Sequence, residues 1–153
     1  MKVKTTDIKD LLVIEPTIFS DDRGYFYESY NENTFKANEI DYIFVQDNQA
    51  KSSYGVIRGL HYQLAPYAQT KLIRVLQGEI YDVVVDIRKD SPTFGQWFGI
   101  HLSDLDQKQL LVPKGFAHGY SVLSKEAVIL YKCDDFYNKS AERGIIYNDP
   151  KLN

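Results

Sequence analysis

The strongest constraint on how this chain can fold is a rhythm in its sequence. Short runs of alternating apolar and polar residues recur, each closed by a cluster of turn formers. The runs fall at 11–19, 25–30, 43–46, 71–76, 79–87, 96–102, 109–112, 119–123 and 127–132. Side chains on a strand point to opposite faces with period two, so such a run makes a ribbon with one face for a core and one for water. Between the runs lie Ser20-Asp21-Asp22-Arg23-Gly24, Gln77-Gly78, Lys89-Asp90-Ser91-Pro92, Ser103-Asp104 and Ser124-Lys125-Glu126. Glycine tolerates positive φ, proline fixes φ, and Asp and Ser bond to their own backbone, so each cluster reverses the chain for a physical reason. Many short strands at this spacing predict a sandwich or barrel. Tyr, Phe and the lone Trp97 make up 14% of the residues, and aromatics suit a pleated, half-buried surface. Only 31–40 reads as a helix, capped by Asn31 or Asn33. With 153 residues and no repeat or linker, the reading is one all-β domain over 1–153: an antiparallel barrel with one or two short helices.

Composition narrows the function. Hydrophobic residues at 44% and charged residues at 25% are ordinary for a globular protein and exclude a disordered one. A single cysteine, Cys133, excludes an internal disulfide framework and suits a reducing compartment. The net charge is −3 and no Lys/Arg run tracks a phosphate backbone, so no nucleic-acid partner is expected. No stretch approaches the ~18 apolar residues of a membrane span, and Met1-Lys2-Val3-Lys4-Thr5 lacks a signal peptide's apolar core. A cytoplasmic protein without a membrane partner is the expectation.

Two motifs carry chemistry. Gly55, five residues, His61-Tyr62-Gln63, then Lys71, six residues and Gly78 follow the spacing of the first motif of the cupin barrels. Pro113-Lys114-Gly115-Phe116-Ala117-His118 follows the second. The chain thus resembles a cupin, and a cupin-type jelly roll is the implied fold. The substitutions matter more than the matches. A metal-binding cupin converges His, His, Glu and His on one ion. Here Gln63 replaces the second histidine and Lys71 the glutamate, and an ammonium repels a divalent cation and has no lone pair to donate. No metal and no organic cofactor are expected. A histidine, a lysine and a tyrosine suit proton chemistry beside a carbonyl instead. His61 is a base whose unperturbed pKa of about 6.5 sits near working pH. Lys71, ten residues on, can face the same pocket from an adjacent strand and stabilise a developing oxyanion.

Longer strings carry a closer resemblance. Asp22-Arg23-Gly24-Tyr25-Phe26-Tyr27-Glu28, Gln46-Asp47-Asn48, Arg58-Gly59-Leu60-His61-Tyr62-Gln63, Gln69-Thr70-Lys71-Leu72, Tyr81-Asp82-Val83-Val84-Val85-Asp86 and Pro113-Lys114-Gly115-Phe116-Ala117-His118 resemble the dTDP-4-dehydrorhamnose 3,5-epimerases, and the likeness covers almost the whole chain. It implies an isomerase that inverts C3 and C5 of a dTDP-4-keto-6-deoxyhexose on the way to dTDP-L-rhamnose. It also implies a homodimer that exchanges an N-terminal strand and shares the nucleotide site. By resemblance His61 is the base, Tyr131 the acid and Lys71 the enolate stabiliser. Arg23, Glu28, Gln46, Asp47, Asn48 and Arg58 fall on positions that hold the nucleotide and its diphosphate. His118 and Glu142 fall on further binding positions, and Tyr137 on the one that stacks on thymine. Asp82 is the expected partner of His118.

The family continues past the Tyr147-Asn148-Asp149-Pro150 signature into a segment that carries the aspartate pairing with the base. The sequence here stops at Asn153, and three expectations follow: a shortened product, a local acid such as Asp86 or Asp82 in the aspartate's place, or reduced activity. Two alternatives stand beside the 3,5-epimerase: a cupin that binds the nucleotide sugar without turning it over, and an epimerase acting at one carbon. Taken alone, His101 reads as surface, Cys133 as core and Asp86–Arg88 as a structural ion pair.

Overall fold

The computed structural model describes residues 1–152, which form two antiparallel sheets packed face to face. The larger runs in the order β1 (Lys2–Thr5), β2 (Leu12–Glu15), β10 (Gln109–Val112), β7 (Lys71–Gln77), β12 (Glu126–Cys133), β5 (Gln46–Ser53). The smaller runs β13 (Glu142–Gly144), β6 (Ile57–Gln63), β11 (Phe116–Val122), β8 (Glu79–Asp86), β9 (Trp97–Ser103). From β6 onward the chain passes repeatedly from one sheet to the other, the cupin-type jelly roll that the sequence implied. A hairpin of β3 (Phe19–Asp21) and β4 (Gly24–Phe26) pairs with neither sheet. Among the described residues no helix is long and apolar enough to cross a membrane.

Alternation sets the core. Ile73, Val75, Leu110 and Ile129 from the larger sheet meet Ile80, Val84, Leu102, Phe116, Tyr120 and Val122 from the smaller one, all buried. The opposite face of the larger sheet is covered by α1 (Glu32–Lys36), where Phe35 and Ile40 pack on Ile14, Leu72 and Leu111. Asn31 is the cap: its Oδ1 accepts from the backbone N–H groups of Asn33 and Thr34 at 3.1 and 3.2 Å. The helix is shorter than the 31–40 expected from sequence. Seating Ile40 beside Phe35 turns the chain at Glu39, whose φ of +62° lies in the left-handed region.

One contact fixes how β6 and β11 meet. At Gly59 φ is +118°, and a Cβ there would lie 2.5 Å from the Cα of Gly119. A Cβ on Gly119 would in turn lie 2.6 Å from the carbonyl oxygen of Arg58. The register shifts between His118 and Tyr120, so the strands press backbone to backbone at an irregular pair and His61 is left directly opposite His118.

Asp86 closes β8. It is fully buried and accepts from Arg88, Ser91 and Thr93, while Arg88 reaches on to Asp10 at 2.7 Å. Burial alone would raise the Asp86 carboxyl, but the bonds from Arg88, Ser91 and Thr93 hold it well below the usual carboxylate range. Its contribution to stability is therefore present above the ordinary carboxyl range and is lost as pH falls through its lowered folded value. Arg88→Ala is expected to destabilise the fold by roughly 3 kcal/mol in urea titrations at pH 7, because it strips a buried carboxylate of its countercharge. A loss below 0.5 kcal/mol would contradict a structural role for the pair.

Candidate active site

The strand ends gather chemistry at one mouth of the barrel. There the two sheets enclose a cavity of about 360 Å³. His61 on β6 and His118 on β11 line it from the smaller sheet, and Lys71 on β7 and Tyr131 on β12 from the larger one. A hollow of about 130 Å³ shares His61, Lys71 and Tyr131 and continues outward to Gln46, Asn48, Tyr137 and Glu142. A larger cavity, about 450 Å³, lies against Val83, Val85, Trp97 and Leu152. Its walls are mainly apolar and lack the His–Lys–Tyr set, so chemistry rather than size selects the smaller one.

Each polar side chain has a defined setting. Lys71 is enclosed, and burial pushes its ammonium below the ordinary lysine value, opposed in part by the carboxylates of Asp82 and Glu142. Its Nζ stands 5.7 Å from the centre of the Tyr131 ring. Burial raises the Tyr131 hydroxyl, which keeps it a proton donor at neutral pH. Burial likewise pushes the Cys133 thiol up to about 11, although Lys71 and an Asn48 amide 3.6 Å from its sulfur act the other way. A thiolate is therefore not what faces Lys71. His118 turns Nε2 to both carboxylate oxygens of the fully buried Asp82, at 2.9 and 3.0 Å, which leaves Nδ1 for the cavity. This is the pairing expected from sequence.

His61 is exposed at the mouth, and no carboxylate of the described residues hydrogen-bonds it. Asp82 is taken up by His118, and Asp86 by Arg88, Ser91 and Thr93. Neither is left to pair with His61. Gln63 is occupied elsewhere, accepting from the Asn138 N–H at 2.6 Å and donating to the Tyr67 carbonyl at 2.7 Å, so it ties down two loops.

The nucleotide-binding candidates divide. Gln46 and Asn48 face inward from β5, joined at 3.1 Å, and Arg58 is held by Ser52 at 2.9 Å on the cavity wall. Tyr137 donates to Glu142 at 2.7 Å at the outer end. Three candidates are not brought to the cavity within this chain. Asp47 points the other way along β5 and pairs with Lys132. Arg23 projects from the β3–β4 hairpin with 90% of its side chain exposed and pairs with Asp21. Glu28 accepts from Asn31 at 3.0 Å beside the helix. Sequence reasoning did not single out Tyr120, which lines the cavity two residues beyond His118, although period two from that histidine puts it on the same face. His101 is exposed and pairs with Glu79, as a surface histidine should.

A jelly-roll barrel with a base, an ammonium and a phenol around one cavity defines a cupin-type isomerase of the proton-transfer kind. The family model for dTDP-4-dehydrorhamnose 3,5-epimerase matches residues 5–153. The chain is 53% identical over 156 residues to the dTDP-4-dehydrorhamnose 3,5-epimerase of Shigella flexneri, covering 100% of this chain and 85% of that one. It is similar to the Bacillus anthracis enzyme of that name, crystallised with TDP and PPi, at a TM-score of 0.97 and 51% identity over 99% of this chain and 87% of the other. It is also similar to the Legionella pneumophila dTDP-6-deoxy-D-glucose-3,5-epimerase in complex with dTDP-4-keto-L-rhamnose. That match has a TM-score of 0.95 and 49% identity over 99% of this chain and 80% of the other. The chain belongs to the dTDP-4-dehydrorhamnose 3,5-epimerase family.

The setting of Cys133 gives a direct check of how closed the inner wall is. Iodoacetamide at pH 8 is expected to leave the folded protein unlabelled and to label one site once urea unfolds it, read by intact mass. Rapid labelling of the folded protein would contradict the buried, neutral thiol.

Proposed function

We infer that this chain inverts C3 and C5 of dTDP-4-dehydro-6-deoxy-D-glucose and yields dTDP-4-dehydro-L-rhamnose for dTDP-L-rhamnose synthesis. One observation carries the residue roles: His61 and Tyr131 come from facing sheets, on opposite walls of one cavity that also holds Lys71. Epimerisation needs that arrangement. The C4 ketone acidifies the protons on its two neighbours. His61 takes one of them from its side of the sugar, and the electron pair moves onto O4. The Lys71 ammonium stabilises that enolate oxygen, and Tyr131 returns a proton to the other face. Lys71 suits the task because a charge in a dry site acts over a low dielectric, where a single oxyanion donor is worth about 3–4 kcal/mol. Asp82 holds His118 in place beside the base.

Tyr137 stacks on the thymine at the outer end, and Gln46, Asn48, Arg58 and Glu142 hold the nucleotide and its diphosphate. Arginine suits phosphate because its planar fork offers paired donors. Arg23 and Glu28 complete that set from a partner, in a homodimer joined by exchange of N-terminal strands, while Asp47 stays paired with Lys132 on the outer face of β5. The exposed β3–β4 hairpin supports this, with Phe19, Tyr25 and Phe26 each more than 60% exposed on a ribbon that joins neither sheet. The single free cysteine supports a cytoplasmic location.

Proton NMR of the ketosugar nucleotide in D₂O tests the reading. Deuterium is expected at both C3 and C5, with His61→Ala slowing exchange about 10²–10⁴-fold. Tyr131→Phe is expected to uncouple exchange from inversion. Exchange at one carbon would reduce the chain to a single-site epimerase, and dTDP binding with no exchange would make it a binding protein.

A further inference from the structure

Three glutamines line the hollow at the outer end of the site, and they share one task. Residues 135–138 lead away from β12 and belong to no strand. Phe136 and Tyr137 are 64% and 53% exposed, so packing does not hold them. Side-chain amides hold the main chain instead, at each position in turn. Gln69 donates Nε2 to the Asp135 carbonyl at 2.8 Å, and Gln63 Nε2 stands 3.5 Å from that of Phe136. Gln46 Oε1 accepts from the Tyr137 N–H at 3.1 Å, and Gln63 Oε1 from the Asn138 N–H at 2.6 Å. All three line the hollow together with Tyr137 and Glu142.

Gln63 fixes Tyr137 from both ends. Its side chain grips the main chain just after the ring. Its backbone pairs across β6 and β13 with Glu142, whose carboxylate accepts from the Tyr137 hydroxyl at 2.7 Å. Gln63 Nε2 also donates to the Tyr67 carbonyl at 2.7 Å, so the nitrogen faces two main-chain carbonyls and has no hydrogen left for a ligand. An amide suits this task because it donates and accepts at once. A carboxylate could not donate there, and an ammonium could not accept.

We propose that Gln63 and Gln69 are positioning residues for nucleotide binding, which hold the 135–138 loop so that the Tyr137 ring is a fixed platform before the base arrives. The assignment rests on the reading that Tyr137 stacks on the thymine. Both glutamines act through the ring and not by contact with the ligand. A loop ordered in advance spares the binding step that loss of freedom, and without the amides the ordering falls on binding itself.

Calorimetric titration with dTDP tests this without turnover, in a cycle of Gln63→Met, Tyr137→Ala and the two together. Methionine is close to glutamine in length and removes both ends of the amide. Gln63→Met is expected to weaken dTDP binding about 3- to 10-fold, the loss of one or two hydrogen bonds. In the Tyr137→Ala background the same change is expected to weaken it by less than about twofold, because the platform is already gone. In turnover the loss is expected in KM, with kcat within about twofold of the parent. Unchanged dTDP affinity in Gln63→Met would overturn the proposal. An equal loss with and without the Tyr137 ring would overturn it too, since the glutamine would then act on the ligand or on the whole fold. So would a fall in kcat that matches the rise in KM. Gln69→Met runs the same cycle with one bond removed and decides the matter if Gln63→Met does not fold. If Tyr137→Ala binds dTDP as tightly as the parent, the stacking reading itself falls, and this proposal with it.

Discussion

The site rests on a contact between two strands that have no side chains where they meet. Gly59 and Gly119 press together so closely that a methyl group on either would strike the other strand's backbone. Because the strands can approach that far, β6 and β11 set His61 directly opposite His118, and β11 carries Tyr120 onward into the core. On the facing sheet, β12 lies between β7 and β5, with Cys133 opposite Lys71 and Tyr131 opposite Asn48. Two independent pairings thus deliver an imidazole to one wall and a phenol to the other. Loops would hold such a constellation less tightly than paired strands do.

Lys71 is the second constraint. A lysine between two apolar layers gives up solvation, and burial lowers its hold on the proton accordingly. What remains is an ammonium near a neutral thiol and an aromatic face. Among the described residues no carboxylate forms an ion pair with it, so its field is free for a ligand oxygen.

Much of this was legible in the sequence, and the strands that escaped it have a common cause, whereas the runs at 25–30 and 43–46 read as strands and are mostly loop. Runs with apolar inner faces, such as 79–87 and 127–132, read as strands and are strands, since alternation survives wherever the inner face meets core. β5 did not read as one. Its inward residues are Gln46, Asn48, Ala50 and Ser52, because that edge lines the site rather than the core, so hydropathy shows no period. The same holds for β6, visible as a motif but not as a strand. The cavity residues His61, Lys71, His118 and Tyr131 were found by motif and resemblance, and so was the Asp82–His118 pair. Arg23, Glu28 and Asp47 were named on the same grounds, yet one chain does not carry them to the cavity. Motif spacing reports membership of a family pattern, not where the fold carries each side chain. Tyr120, two residues from His118 and on the same face of β11, was not singled out among the chain's twelve tyrosines.

The site depends most on a lysine buried between the two sheets, and its proton affinity can be measured. Titrating the ¹³Cε resonance of Lys71, assigned by its loss in Lys71→Met, should give a midpoint below the ordinary lysine value of about 10.4. The alkaline limb of kcat is expected to follow that midpoint, since the deprotonated amine no longer stabilises the enolate. A midpoint at or above the ordinary value would contradict the account, because the ammonium would then be solvated or paired rather than held for the substrate.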